Sequence, residues 1–133
     1  MKFACLGYYA ENSWDGMTQA QQDALIDDCL SYDDDVLRKD RHFLAGEALG
    51  PSNTARTVRY QDGKARVTDG PYAETKEQIG GLMILEAESL EEAVRLISKH
   101  PGLKNGPFEI RPIVDMTPIV QASEARRKAT KGR

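Results

Sequence analysis

The 133-residue chain has only two cysteines, two histidines and one tryptophan. Cys5 and Cys29 match no metal-ligand spacing, and a cytoplasmic chain is not expected to pair them, so both are read as reduced thiols. His42 and His100 lie far apart with no carboxylate at ligand spacing, so no metal site is expected, and no cofactor is expected either. No apolar run is long enough to cross a bilayer, which excludes a membrane span. The segment Met1–Tyr9 has no signal-peptide cleavage pattern, so a cytoplasmic location is expected. The net charge of -3 excludes an overall basic field of the kind that draws in nucleic acid or an anionic membrane.

What is present fits one soluble domain with its own core. Lys2–Tyr9 is apolar and aromatic, as in a strand. Thr18-Gln19-Ala20-Gln21 is a capping box, and Leu25, Cys29, Tyr32 and Val36 follow at helical spacing, with Ile26, Leu30 and Leu37 beside them. That helix is expected to bury the stripe and to expose Asp27, Asp28 and Asp33-Asp34-Asp35. Arg38 and Lys39, four residues after Asp34 and Asp35, suit its C-terminus. Phe43–Leu49 reads as a second strand. Asp62-Gly63 is a two-residue hairpin signal, and centring the loop there pairs Val58 with Val67, Arg59 with Arg66, Tyr60 with Ala65 and Gln61 with Lys64. Gly80–Glu86 is a further strand, and Ser89-Leu90-Glu91-Glu92 opens a second helix that His100-Pro101-Gly102 stops. Phe108–Ile113 alternates as a last strand. Residues 1–115 form the domain, and 116–133 are read as a mobile basic tail carrying Arg126, Arg127, Lys128, Lys131 and Arg133.

The order is strand, helix, strand, hairpin, strand, helix, strand. Without the hairpin this is the ferredoxin-like βαββαβ arrangement, an α+β fold with an antiparallel sheet and both helices on one face. The other face needs a cover, and a second copy of the sheet supplies one, so a homodimer is expected.

The segment Ala45-Gly46-Glu47-Ala48-Leu49, the run Thr68-Asp69-Gly70-Pro71-Tyr72-Ala73-Glu74-Thr75-Lys76-Glu77, the Gly80-Gly81 strand and Glu109-Ile110-Arg111-Pro112 resemble the DGPF branch of the YCII-related proteins, with Tyr72 where that branch has phenylalanine. The resemblance runs from Lys2 to Pro112 and leaves the tail unaccounted for. It implies a small bacterial protein with a dimeric α+β barrel and no settled reaction. Some YCII relatives carry a His–Asp pair proposed as an acid/base dyad, and one is linked to dehydrochlorination of a chlorinated ring compound. DGPF-type genes often lie beside sigma-factor genes, which implies a regulatory alternative. At the two dyad positions this chain has Cys29 and His100, so the resemblance transfers no dyad and leaves open whether the protein is an enzyme.

The charged run around Gly70-Pro71 is the only long irregular segment rich in catalytic residue types, and loops between rigid elements are where sites concentrate. Asp69 is either a general base or a turn residue bonded to its own backbone. Glu74, Lys76 and Glu77 either hold a polar or anionic ligand or pin the loop by ion pairs. Tyr72 either stacks on a ligand ring or packs at the pocket edge. Arg111 either clamps a carboxylate or pairs with Glu47, Asp69 or Glu74, and Glu109 shares its face. His100 is either an acid/base group or a cap residue. Two functions follow: acid/base chemistry on a small polar or anionic metabolite, or a non-catalytic ligand-binding or regulatory module. The third reading is a structural dimer.

Overall fold

The first helix starts where its capping box places it. Gln21 N–H donates to the Thr18 hydroxyl at 3.1 Å, and Thr18 N–H donates to the Gln21 side-chain oxygen at 2.9 Å. The computed structural model describes residues 1–132. Its strands are β1 (Lys2–Ala10), β2 (Phe43–Ala48), β3 (Arg56–Gln61), β4 (Lys64–Asp69), β5 (Glu77–Glu86) and β6 (Phe108–Pro112). Its α-helices are α1 (Gln19–Tyr32), α2 (Leu90–Ser98) and α3 (Thr117–Lys131). A π-helical turn, Asp33–Arg38, extends α1, and a 3-10 turn, Pro101–Lys104, follows α2.

The main sheet has the order β2-β5-β1-β6 with every pairing antiparallel, which is the expected ferredoxin-like α+β topology. The hairpin β3-β4 forms a separate two-stranded sheet. Its register matches the sequence expectation pair for pair, because Asp62 (φ 52°) and Gly63 (φ 76°) supply the two left-handed residues such a turn demands. Residues of the basic C-terminal segment form α3, whose Arg126, Arg127, Lys128 and Lys131 are exposed. Arg133 lies outside the described residues.

Three side-chain rows cross the helix-covered face of the sheet. The first is Pro112, Phe3, Leu85 and Phe43, the second Ile110, Cys5, Met83 and Gly46, and the third Phe108, Gly7, Gly81 and Ala48. Bulk falls from row to row. The large end forms the core, where Cys5, Leu37 and Leu85 are fully buried against Leu96 and Ile97 of α2, and Phe3 is fully buried against Ala87 and Ala93. Phe3, Leu37 and Leu85 each contribute about 1.5–3 kcal/mol by burial. At the small end, Gly7, Gly81 and Ala48 put almost nothing between the sheet and α1. Accordingly α1 contains no buried residue, and Ile26 and Leu30 are 45% and 54% exposed. The later part of the expected stripe packs into the core, with Leu37 buried and Tyr32 and Val36 against it, while Leu25, Ile26, Cys29 and Leu30 overhang a space.

Candidate functional site

That space is a cleft of about 550 Å³ between α1 and the small-residue end of the sheet. Ligand pockets commonly have this size, are mainly apolar, and carry a few converging polar groups. The roof is Leu25, Ile26, Cys29 and Leu30, and the walls are largely aromatic, with Tyr8, Tyr9, Trp14, Phe43 and Phe108. The polar groups include Asp33 and Arg38 from the π-helical turn, His100 from the end of α2, and Glu47 from β2.

Asp33 and His100 form a polar contact sunk into the cleft wall. His100 Nε2 lies 2.9 Å from Asp33 Oδ1, and the two side chains are 6% and 14% exposed. Gly102 N–H donates to His100 Nδ1 at 3.0 Å. Nδ1 is therefore an acceptor, the ring proton sits on Nε2, and Nε2–H donates to the Asp33 carboxylate. The ring packs against Tyr32 (5.3 Å between centroids, edge-on) and Phe108 (5.4 Å). Tyr32 is itself fixed, its hydroxyl donating to the Leu96 carbonyl at 2.5 Å. Burial pushes the Tyr32 phenol pKa up, and the Asp33 carboxylate adds to the shift. Cys29, also in the cleft, has its thiol pushed up by burial first and by Asp33 and Asp28 second. It is a neutral thiol at neutral pH rather than a thiolate nucleophile.

The sequence reading placed Asp33 on the exposed face of a long helix. The structure corrects this: Asp33 N–H still donates to the Cys29 carbonyl four residues back, so ordinary helical spacing sets Asp33 one turn beyond Cys29 on the side that faces the cleft. A His–Asp pair therefore exists, with its members exchanged between elements. The carboxylate comes from the end of α1, one turn beyond Cys29, and the imidazole from the end of α2. An acid at the first of these places and a histidine at the second were visible in the sequence. The exchange concealed them, because a histidine was sought on the first helix. His100 caps the 3-10 turn that follows α2 and also lines the cleft.

The other sequence candidates lie elsewhere, and the charged loop does not join the cleft. Asp69 ends β4 with its side chain 89% exposed and lies 3.4 Å from Arg56, itself 73% exposed. Gly70 (φ 98°) turns the chain, held by its N–H donating to the Ala55 carbonyl at 2.8 Å and by the Thr57 hydroxyl donating to the Gly70 carbonyl at 2.9 Å. Tyr72 is 81% exposed, with the Arg59 guanidinium 5.6 Å from its ring and donating to its carbonyl at 3.3 Å. Glu74 and Lys76 are exposed and form no ion pair among the described residues. Arg111 pairs with Glu109, its neighbour along β6, and not with the loop. Arg59 stands across from Arg66 as expected and is drawn instead to Thr68 and Tyr72.

Comparison with known proteins adds the family. A protein of Rhizobium meliloti (strain 1021), described as uncharacterized protein R00369, is 39% identical over 69 residues, which make up 49% of this chain and 54% of that protein. The chain thus spans about half the length of this curated relative. Among solved structures, the 5-chloro-2-hydroxyhydroquinone dehydrochlorinase of Burkholderia phenoliruptrix AC1100, in complex with 2,5-dihydroxybenzoquinone, superposes with a TM-score of 0.49 at 17% identity, covering 86% of this chain and 94% of that one. The family model of the YCII-related domain matches residues 1–117. The chain belongs to the YCII-related domain family.

Proposed function

We propose that the cleft takes a small ring-bearing molecule and that the Asp33–His100 pair moves a proton on it. The buried pair at the wall of a mainly apolar cavity carries this reading, because water-poor surroundings are where a fixed carboxylate and imidazole act most strongly on a ligand. Both nitrogens of His100 are engaged, so the proton acceptor is Asp33. Its carboxylate takes a proton from a ligand C–H or O–H and becomes a neutral acid, the ligand keeps the electron pair, and the proton later returns. His100 Nε2–H holds the carboxylate in place throughout.

The exposed Asp69 loop has no part in this chemistry. Asp69, Tyr72, Glu74, Lys76, Glu109 and Arg111 all lie outside the cleft lining, which supports reassigning the site to Asp33, His100 and their neighbours. The loop keeps its value as the mark of the DGPF branch. We also infer a homodimer. By strand alternation Ala4, Leu6, Leu82 and Ile84 face away from the helices, and these apolar residues are only partly buried among the described residues. Light scattering or sedimentation gives the mass directly.

The chemical test uses cyclic 1,3-diketones and phenols in D₂O, following loss of ring C–H signal by NMR. General acid–base groups contribute about 10²–10⁴-fold, so the wild type should exchange at least tenfold faster than Asp33→Asn, with Asp69→Asn equal to wild type. Probes that perturb cleft residues but exchange equally with wild type and Asp33→Asn would leave a non-catalytic binding module.

A further inference from the structure

We infer that Arg38 is the anion-binding residue of the cleft and that the ligand is a flat ring compound bearing a single carboxylate. This rests on reading the cleft as a ligand site and goes beyond it by naming the ligand class.

The π-helical turn carries the argument. In an α-helix, residues five apart diverge by about 140° around the axis, so Asp33 and Arg38 would face different surroundings. With i→i+5 bonding they fall on adjacent sides, and both line the cleft. Widened turns of this kind concentrate at functional sites. Leu37, fully buried, anchors the turn to the core between them.

Arg38 is the only lysine or arginine among the cleft-lining residues. Its guanidinium carbon lies over the Phe43 ring, 4.1 Å from the centroid, so the group is held against a wall of the cleft. A stacked guanidinium directs its N–H groups outward along its own plane, the geometry that grips a carboxylate through two parallel bonds. One terminal nitrogen, Nη1, meets Asp34 at 2.5 Å in an exposed pair, and the remaining N–H groups have no hydrogen-bond partner among the described residues. Asp33 and Glu47 also line the cleft. Two carboxylates against one guanidinium disfavour a dianion, so the ligand is a monoanion. Rings of Tyr9, Trp14, Phe43 and Phe108 supply flat apolar contact for the rest of it. The carboxylate on Arg38 then orients the ring toward Asp33, and the anion-binding role first sought in Lys76 and Arg111 falls to Arg38.

The test titrates benzoate and its neutral isostere benzamide into wild-type, Arg38→Gln and Arg38→Lys protein, with chemical-shift perturbation as readout. Arg38 is half exposed, so both variants should melt close to wild type. Benzoate should bind wild type at least tenfold more tightly than benzamide, with shifts at Phe43 and Gly81. Arg38→Gln should erase that preference while leaving benzamide affinity unchanged, and Arg38→Lys should restore part of it. Equal binding of both probes in the cleft, unaffected by Arg38→Gln, overturns the inference and leaves the cleft reading intact. Shifts from neither probe at any cleft residue overturn both.

Discussion

The Asp33–His100 end of the cleft and the arm formed by β3, β4 and the turn after them contain similar side chains. Each has an aspartate beside a basic group, tyrosine and arginine nearby, and a glycine close at hand. At the cleft the aspartate and histidine are 14% and 6% exposed, and each ring nitrogen has a defined partner. On the arm, the aspartate and arginine are 89% and 73% exposed and 3.4 Å apart. Charge in water is screened and cheap to rearrange, whereas the same charge in a dry wall is fixed and costly to strand. Chemistry is therefore expected where polar groups are few and buried, not where they are most numerous.

The largest effect that tests this contrast is on stability. Asp33→Ala leaves His100 Nε2–H buried without an acceptor, which costs about 1–3 kcal/mol. The melting temperature should fall by several degrees, since 1 kcal/mol is worth roughly 3–5 °C in a domain of this size. Asp33→Asn retains an acceptor oxygen for Nε2–H and should lose less. His100→Ala also removes the ring packed against Tyr32 and Phe108 and should lose at least as much as Asp33→Ala. An Asp33→Ala protein that melts with the wild type would mean the pair carries no strain-free burial worth having, and the contrast with the arm would collapse.

Second comes ligand access. Ala48 sits on the row with Gly7 and Gly81 at the cleft, and Ala65 sits opposite Tyr60 on the hairpin. Ala48→Phe places a ring in the cavity and should weaken benzoate binding more than tenfold. Ala65→Phe adds the same ring to the arm and should leave binding unchanged. Equal losses from the two would move the binding site toward the hairpin.

Third is an alkaline effect that belongs to the body alone. Burial raises the Cys5 thiol pKa from 9.0 to about 11. The unfolded chain loses this proton above about pH 9 while the native state keeps it. Stability from this group is therefore complete below pH 9 and declines as pH rises through about 11. By pH 10 the loss is about 1.4 kcal/mol. Cys29 and Tyr32, also raised, act in the same direction. Denaturant titrations at pH 8 and 10 should show a smaller pH-dependent loss in Cys5→Ala than in wild type, and an unchanged loss in Asp69→Ala.

Much of the scaffold was legible in the sequence, because local chemistry determines it. Asp62-Gly63 set the hairpin register residue by residue, and Thr18 and Ser89 placed the helix starts. The cleft was not legible, for two physical reasons. Helical periodicity marks Leu25, Ile26, Cys29 and Leu30 as apolar but does not say what faces them. Only the strand register reveals that Gly7, Gly81 and Ala48 lie in one row beneath. The acidic run Asp33-Asp34-Asp35 reads as one solvated face, although Asp33, four residues after Cys29, falls on the same side of the helix as the apolar stripe. His100 was identified as a candidate, while its partner was missed because the pair is exchanged between the two helices.

The smallest effect is the one expected of the residue that first drew attention. Asp69 has one partner, Arg56, and both are solvent-exposed, so the pair contributes little. The turn it precedes is held by backbone bonds between Gly70 and Ala55 and by the Thr57 hydroxyl, none of which uses the Asp69 carboxylate. Asp69→Ala should therefore change stability by less than about 0.5 kcal/mol, leave benzoate affinity unchanged, and leave ring-proton exchange unchanged. Thermal melts and the NMR titration read all three. A loss of ligand binding in a normally folded Asp69→Ala protein would bring the arm into the site. This chain places the arm outside its own cleft, so the residue would then act on the cleft of a second copy, and mixing Asp69→Ala with Asp33→Asn protein should restore activity in the hybrid. Wild-type behaviour in every assay would leave the arm as framework and the buried pair as the site.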